Sequence, residues 1–392
     1  MSNNQEAHLF RALLGLLLVA LGALPCPARA ADITLTTTGD NAVLYDSARD
    51  ACTPIDVPDI NPRAYRDAHG QVVMFALHFI NRALRGRDLT GVKIDCHVAL
   101  GSAFDADPRH YDDRRYIAAT WTADGADVSA LVHEEYHADL HKTCRVGDSL
   151  GCWFNTVLAF HSSDGGISFA PASPLVVASA PFRQDVEQGR HRGFFNPSNM
   201  FSDGRYTYAF ISTTGWEGQA PGNCLFRTSN PADSGSWRAY DGARFSVRFT
   251  DPYRSRAKPK PCLSIAPFLF PVGAVVRDVE HKLWIAVFQA ARGTAYPLEG
   301  FYYATARDLL HWSEPRLLMA GRTAYSDLCE VGPSIINYPS ILDPGSTSRN
   351  FDSIGTHPLL FFDIMAVKDC QTTQRLLVYR PLRLEPDKRP QR

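Results

Sequence analysis

The chain has almost no net charge, since 40 Lys and Arg stand against 41 Asp and Glu in 392 residues. So even a balance argues against a nucleic-acid groove or an anionic membrane surface as the main partner. There is no phosphate-cradling glycine loop, dinucleotide fingerprint or nucleophile-elbow serine, which sets aside nucleotide enzymes and serine hydrolases. Long helical periods are scarce too, because 27 Gly and 26 Pro punctuate the chain. Disorder is excluded by a composition that is 45% hydrophobic and 11% aromatic. The apolar run from Ala12 to Leu24, about 13 residues, is short of the roughly 20 that span a bilayer.

That run instead carries an export signal, since Arg11 precedes it and the small-residue pattern Ala28-Arg29-Ala30 follows. We read 1–30 as a signal peptide and 31–392 as one mature domain, secreted or periplasmic, monomeric and without a membrane span. Cleavage after Ala30 removes Cys26 and leaves Cys52, Cys96, Cys144, Cys152, Cys224, Cys262, Cys329 and Cys370. An even cysteine count in an exported chain favours disulfides. Neighbours in chain order are expected to pair, Cys52 with Cys96, Cys144 with Cys152, Cys224 with Cys262 and Cys329 with Cys370, each stapling a local insertion.

The remainder alternates short β-branched and aromatic runs with Asp-Gly, Pro and Asn turns. Hairpins are legible around Ala68-His69-Gly70, Asp124-Gly125 and Asp203-Gly204, and again between Val276 and Leu283 and between Tyr338 and Leu359. Openings near Asp59, Arg115, Asn196, Ile265 and Tyr338 recur at roughly 56 to 81 residues, the length of four strands with loops. The expected fold is all-β, a five-bladed β-propeller of four-stranded antiparallel blades at about 52–105, 110–175, 193–245, 262–320 and 335–385. A β-sandwich is the alternative, but two packed sheets seldom need so long a chain.

Ser162-Ser163-Asp164-Gly165-Gly166-Ile167-Ser168-Phe169 resembles the Asp-box turn of sialidase-type propellers. Thr305 to Trp312 is similar to an outer-strand turn of five-bladed glycoside hydrolases such as arabinanases, invertases and levansucrases. Pro197-Ser198-Asn199-Met200 and Pro339-Ser340-Ile341-Leu342 resemble their blade-opening strands. The resemblance implies a glycoside hydrolase acting on an oligo- or polysaccharide in an axial funnel, with a general base at the start of the first inner strand. Asp59 of Val57-Pro58-Asp59-Ile60 occupies that place.

In a propeller each inner hairpin delivers its opening and its return end to the funnel. Those ends carry Arg63 and His78, Asp113 and Arg115, Asn199 and Trp216, then Tyr338, Arg349 and Asp363. Carboxylates, Arg, His, Asn and an aromatic suit sugar hydroxyls and a ring face. Glycoside hydrolysis needs a second carboxyl as acid. Glu135 is the candidate, flanked by His133 and His137 on one side of its strand, where neighbours can tune it. The resembling families place their acid later, before Gly-Pro, and the echo Glu330-Val331-Gly332-Pro333 comes later still.

Two other readings compete. His133-Glu134-Glu135-Tyr136-His137 matches the zinc-peptidase pattern H-E-x-x-H, which works only on a helix, and Val128, Leu131, Val132, Tyr136 and Leu140 do have helical spacing. On a strand the two His lie roughly 13 Å apart along the chain. The second alternative is a propeller that binds glycan without cleaving it. The hydrolase reading requires no cofactor and no metal.

Overall fold

The computed structural model describes residues 33–146, 149–180, 183–184, 192–257 and 260–387. The expected signal peptide, with Cys26, lies outside the described residues. Where described, the chain is built from strands, with only single turns of helix such as Ser47–Asp50. None of its helices is long and apolar enough to cross a membrane.

The strands follow one another as five antiparallel meanders. The first holds Pro58–Arg66, Val72–Leu77, Arg82–Gly86 and Lys93–Val98. The second holds Arg114–Thr122, Val128–His137, Trp153–Ser162 and Ala170–Ser179. In the third, an opening strand split into Arg192–Phe195 and Phe201–Ser202 precedes Thr207–Thr213, Gly222–Thr228, Arg238–Tyr240 and Phe245–Val247. The fourth holds Val272–Asp278, Leu283–Ala290, Gly300–Ala306 and Arg316–Ala320. The fifth holds Ser334–Leu342, Leu359–Lys368 and Gln371–Pro386. Its outer edge comes from the other end of the chain. Ile33–Thr37 and Ala42–Asp46 both pair with Gln371–Pro386, a sixteen-residue strand long enough to take them in succession.

Strands buried on both faces read as continuous apolar runs instead of alternating ones, and Val72–Leu77, all six residues buried, is such a run. Their two faces feed clusters shared by successive meanders. Phe75 packs with Val132 and Leu158, Leu131 with Ile211 and Phe226, and Phe210 with Val275 and Phe288. Ile285 then joins Leu360 and Val378, and Phe361 and Leu377 join Met74 and Ala64 of the first meander. The opening strand of the first meander touches those of the second and fifth, and that of the fourth touches the opening strand of the fifth and Thr207–Thr213 of the third. The second and third are joined by parallel pairing of Phe154 and Asn155 with Arg192 and Gly193. A Cβ on Gly193 would lie 2.3 Å from the Asn155 carbonyl oxygen, at a φ of +95°, so only glycine fits that junction.

Side-chain amides tie the meanders by imitating the backbone. Asn81 accepts from Ile117 N–H at 2.7 Å and donates to the Arg115 carbonyl at 2.6 Å. Asn199 exchanges the same pair of bonds with Val275, and Asn350 with Thr122. Among these strands lies Arg63. Its guanidinium donates to the carbonyls of Ala118 at 2.7 Å and Pro197 at 3.2 Å and to the Ser340 hydroxyl at 3.0 Å, on three different meanders. Burial pushes this guanidinium down to about 9.

All four cysteine pairs form as expected, with Cα separations of 5.7, 5.6, 5.9 and 4.4 Å for Cys52–Cys96, Cys144–Cys152, Cys224–Cys262 and Cys329–Cys370. Such bridges fit an oxidising compartment.

Candidate functional site

The pairing of Pro58–Arg66 with Val72–Leu77 is irregular between Pro58 and Arg63. Pro58 faces Leu77, so Asp59 and His78 emerge side by side at that end of the hairpin, and their side chains meet at 3.2 Å. Arg375 of the long last strand donates to the other Asp59 oxygen and, at 3.1 Å, to the Pro58 carbonyl. Tyr338 completes the group, its phenol donating to Asp59 at 3.3 Å. Tyr338 sits at a bulge between Asn337 and Ser340 with a φ of +59°, a conformation costly for a bulky residue. Its N–H donates to the Gln289 side chain at 2.8 Å, which holds the bulge.

The second carboxyl comes from the neighbouring meander. Val128–His137 is a strand, and its pairing sets Glu135 against Arg114 on one side and Asn155 on the other. His137 Nε2 lies 3.2 Å from Glu135 and His133 Nε2 lies 4.0 Å from it, while His133 also meets the Asn155 side-chain Oδ1 at 2.8 Å. Because this segment is a strand, the helical convergence needed by the zinc-peptidase alternative does not form. The apolar spacing that suggested a helix reflects a strand buried on both faces, whose periodicity is lost. Among the described residues no group of three or more His, Cys, Asp and Glu is placed to hold a metal ion.

Asp59 and Glu135 act on the same neighbours. Burial pulls the His78 imidazole below its ordinary range, and both carboxylates pull it back up. Burial likewise lowers His133, opposed by Glu135 and more weakly by Asp59. Tyr116, whose ring lies 5.4 Å from His78 and 6.1 Å from His133, is raised well above its ordinary value by burial, then by Glu135 and Asp59. Tyr338 is raised by burial and Asp59. Asp363 lies beside Leu377 in the fifth meander, fully buried, and neither of its oxygens has a hydrogen-bond partner among the described residues. Burial raises it well above the carboxylate range, although Arg375 opposes the shift.

The other expected site residues lie elsewhere or are engaged. Arg63 is the buried tie between meanders and Asn199 a backbone clamp. Arg349 donates to the carbonyls of Arg66 and Asp67 beside the opposite hairpin turn, at 3.0 and 2.7 Å. Arg115 donates to the Tyr111 carbonyl and pairs with Asp112 at 2.8 Å. Asp113 is buried, 3.0 Å from His141 and accepting from His137 N–H. Trp216 lines a separate cavity. Of the expected residues, Asp59, His78, Tyr338, Glu135 and His133 belong to one neighbourhood. Arg375 and Tyr116 join them without having been foreseen. Arg375 offered no local signal, because its partner lies 316 residues away; Tyr116 looked like any aromatic in a hairpin arm.

No known protein family and no curated protein matches the sequence. Several solved structures are similar to it over most of their length. A thermostable family-43 glycoside hydrolase covers 86% of this chain and 95% of its own at 11% identity and a TM-score of 0.43. The Cellvibrio cellulosa α-L-arabinanase covers 83% and 91% at 10% identity, TM-score 0.45. The endo-1,5-α-L-arabinanase of Thermotoga petrophila RKU-1 covers 83% and 72% at 7% identity, TM-score 0.49. The chain is thus similar in structure to glycoside hydrolases, at a level that by itself assigns it no activity.

Proposed function

We propose that the five meanders close into a five-bladed propeller of an exported protein, and that the end carrying Asp59 binds a glycan and hydrolyses it. Closure is supported by contacts that link each meander to the next and the fifth to the first, and by the five shared clusters. The observation that carries the catalytic reading is that Asp59 and Glu135, from separate meanders, bear on the same His78, His133 and Tyr116. Glycosidic cleavage uses two such carboxyl groups. In this reading Glu135 protonates the leaving oxygen and Asp59 takes a proton from the attacking water. His133, kept neutral by burial, gives its Nε2 proton to the Asn155 side chain beside Glu135, His137 at 3.2 Å orients that carboxyl, and Tyr338 and Arg375 fix Asp59. Strain stored at Tyr338 fits a residue held for function.

One feature favours the non-catalytic alternative, a glycan-binding propeller. Asp59 is already engaged by Arg375, His78 and Tyr338, which leaves it little freedom to accept a proton. Kinetics on a panel of aryl glycosides and polysaccharides separates the two. With catalysis, Asp59→Asn lowers activity by about 10²-fold or more, beyond any loss of stability from unpairing Arg375. Glu135→Gln loses most on substrates with poor leaving groups and least on activated aryl glycosides. Full activity in both variants rejects these roles, and glycan binding without turnover by the wild type establishes the alternative.

A further inference from the structure

Apart from the Asp59 group, a cavity of about 330 Å³ is lined by Trp216, Phe249, Arg183, Glu217, Arg256 and Lys260 among others. Trp216 follows the return strand Thr207–Thr213, in which Thr213 pairs with Phe194 at the end of its hairpin. Leu77 pairs with Pro58 in the same way before His78. Trp216 and the Asp59–His78 pair therefore leave corresponding ends of their hairpins.

Two observations say what the cavity would take. The Trp216 indole N–H is buried and has no hydrogen-bond acceptor among the described residues, a loss normally made good by a partner oxygen. The charge around it is also lopsided. Arg183 pairs with Glu217 at 2.8 Å, while Arg256 and Lys260 are exposed and form no ion pair or hydrogen bond with any described residue. In the sequence, Arg254, Arg256, Lys258 and Lys260 occupy alternate positions, and no Asp or Glu occurs between Asp251 and Asp278. In a chain whose charges otherwise balance, this is a local surplus of cations beside an aromatic donor.

We infer that this cavity binds an anionic sugar, with Trp216 meeting its ring and an oxygen and Arg256 and Lys260 holding its carboxylate or sulfate. It would be an outlying subsite for an acidic polysaccharide. The inference rests on the glycan reading above. An acidic sugar suits the site better than a nucleic acid, because the disulfides fit an oxidising compartment and the cations sit beside a single indole donor.

The test is calorimetric binding of the full mature chain to polygalacturonate, dextran sulfate, neutral arabinan and single-stranded DNA, at two salt concentrations. Polygalacturonate or dextran sulfate should bind, identifying carboxylate or sulfate as the recognised group. Arg256→Ala/Lys260→Ala, both exposed and so harmless to folding, should weaken that binding at least about fivefold and flatten its salt dependence. Trp216→Phe, which keeps a ring but loses the N–H, should weaken it less. Asp59→Asn should keep the acidic-polymer binding while losing turnover. Unchanged affinity in the double variant overturns the site, and DNA binding as tight as either acidic polymer overturns the sugar. Turnover of a neutral glycan with no acidic-polymer binding overturns this inference and leaves the proposed function standing. Absence of any glycan binding or turnover removes both.

Discussion

Arg63→Met tests the physical logic of the centre of the molecule. The Arg63 guanidinium is buried, and its partners are the carbonyls of Pro62, Ala118 and Pro197 and the Ser340 hydroxyl. Two effects oppose each other. Burying a cation without a carboxylate is costly, and replacing a buried charge with an apolar side chain can be neutral or stabilising. Against that, Met strands three acceptors on three other meanders, and a buried polar group left without its partner costs about 1–3 kcal/mol. Because the acceptors converge on one point, the second effect should win, by about 2–4 kcal/mol after partial relief of the first. That is a large part of the roughly 5–15 kcal/mol that holds a typical domain together, and at about 2 °C per kcal/mol for a chain of this size it lowers Tm by about 4–8 °C. Arg63→Lys, one point charge for a forked one, should fall between. Denaturant unfolding and calorimetry measure both. A Met variant within about 0.5 kcal/mol of wild type would refute the reasoning, and a stable variant that lost only glycan binding would return Arg63 to the ligand.

Other outcomes follow from the same geometry. Asp363 has a raised folded pKa, so its contribution to stability is full below the unfolded value near 4 and is lost as pH rises towards the folded value. Relative to Asp363→Asn, the wild type should therefore lose stability over that range, as read by urea midpoints; parallel profiles would contradict it. His78 has the opposite sign: burial lowers its pKa, so its contribution is present above the unfolded value of about 6.5 and fades as pH falls towards the folded one. An NMR titration should find its midpoint below 6.5, and a midpoint above that would show that Asp59 outweighs burial. Thiol titration of denatured, unreduced mature protein should find no free thiol. Removing the Cys224–Cys262 bridge, which spans 38 residues, should cost about 3–4 kcal/mol, and an unchanged denaturation midpoint would show the bridge is dispensable.

What the sequence revealed was mostly local. The Asp59–His78 meeting follows from one hairpin and its turn, and each cysteine bridge joins neighbours along the chain. Glu135 was found because alternation along one strand puts it between His133 and His137. Long-range placement was not legible. Arg375 reaches Asp59 only because Gln371–Pro386 runs back along Leu359–Lys368. Arg349 falls at the wrong end because the excursion between Leu342 and Leu359 carries it past the opposite turn. The strands at 33–46 look like a free leader until their partner, more than 300 residues later, is known.

That last pairing orders the events of biogenesis. A chain made N-terminus first completes Ile33–Thr37 long before Leu382–Pro386 exists to receive it. Closing so long a loop is a late and entropically expensive step, and until then both strand edges invite pairing with other chains. Any stall before the last strand is made, or a nick within it, leaves a nearly complete molecule with an open seam.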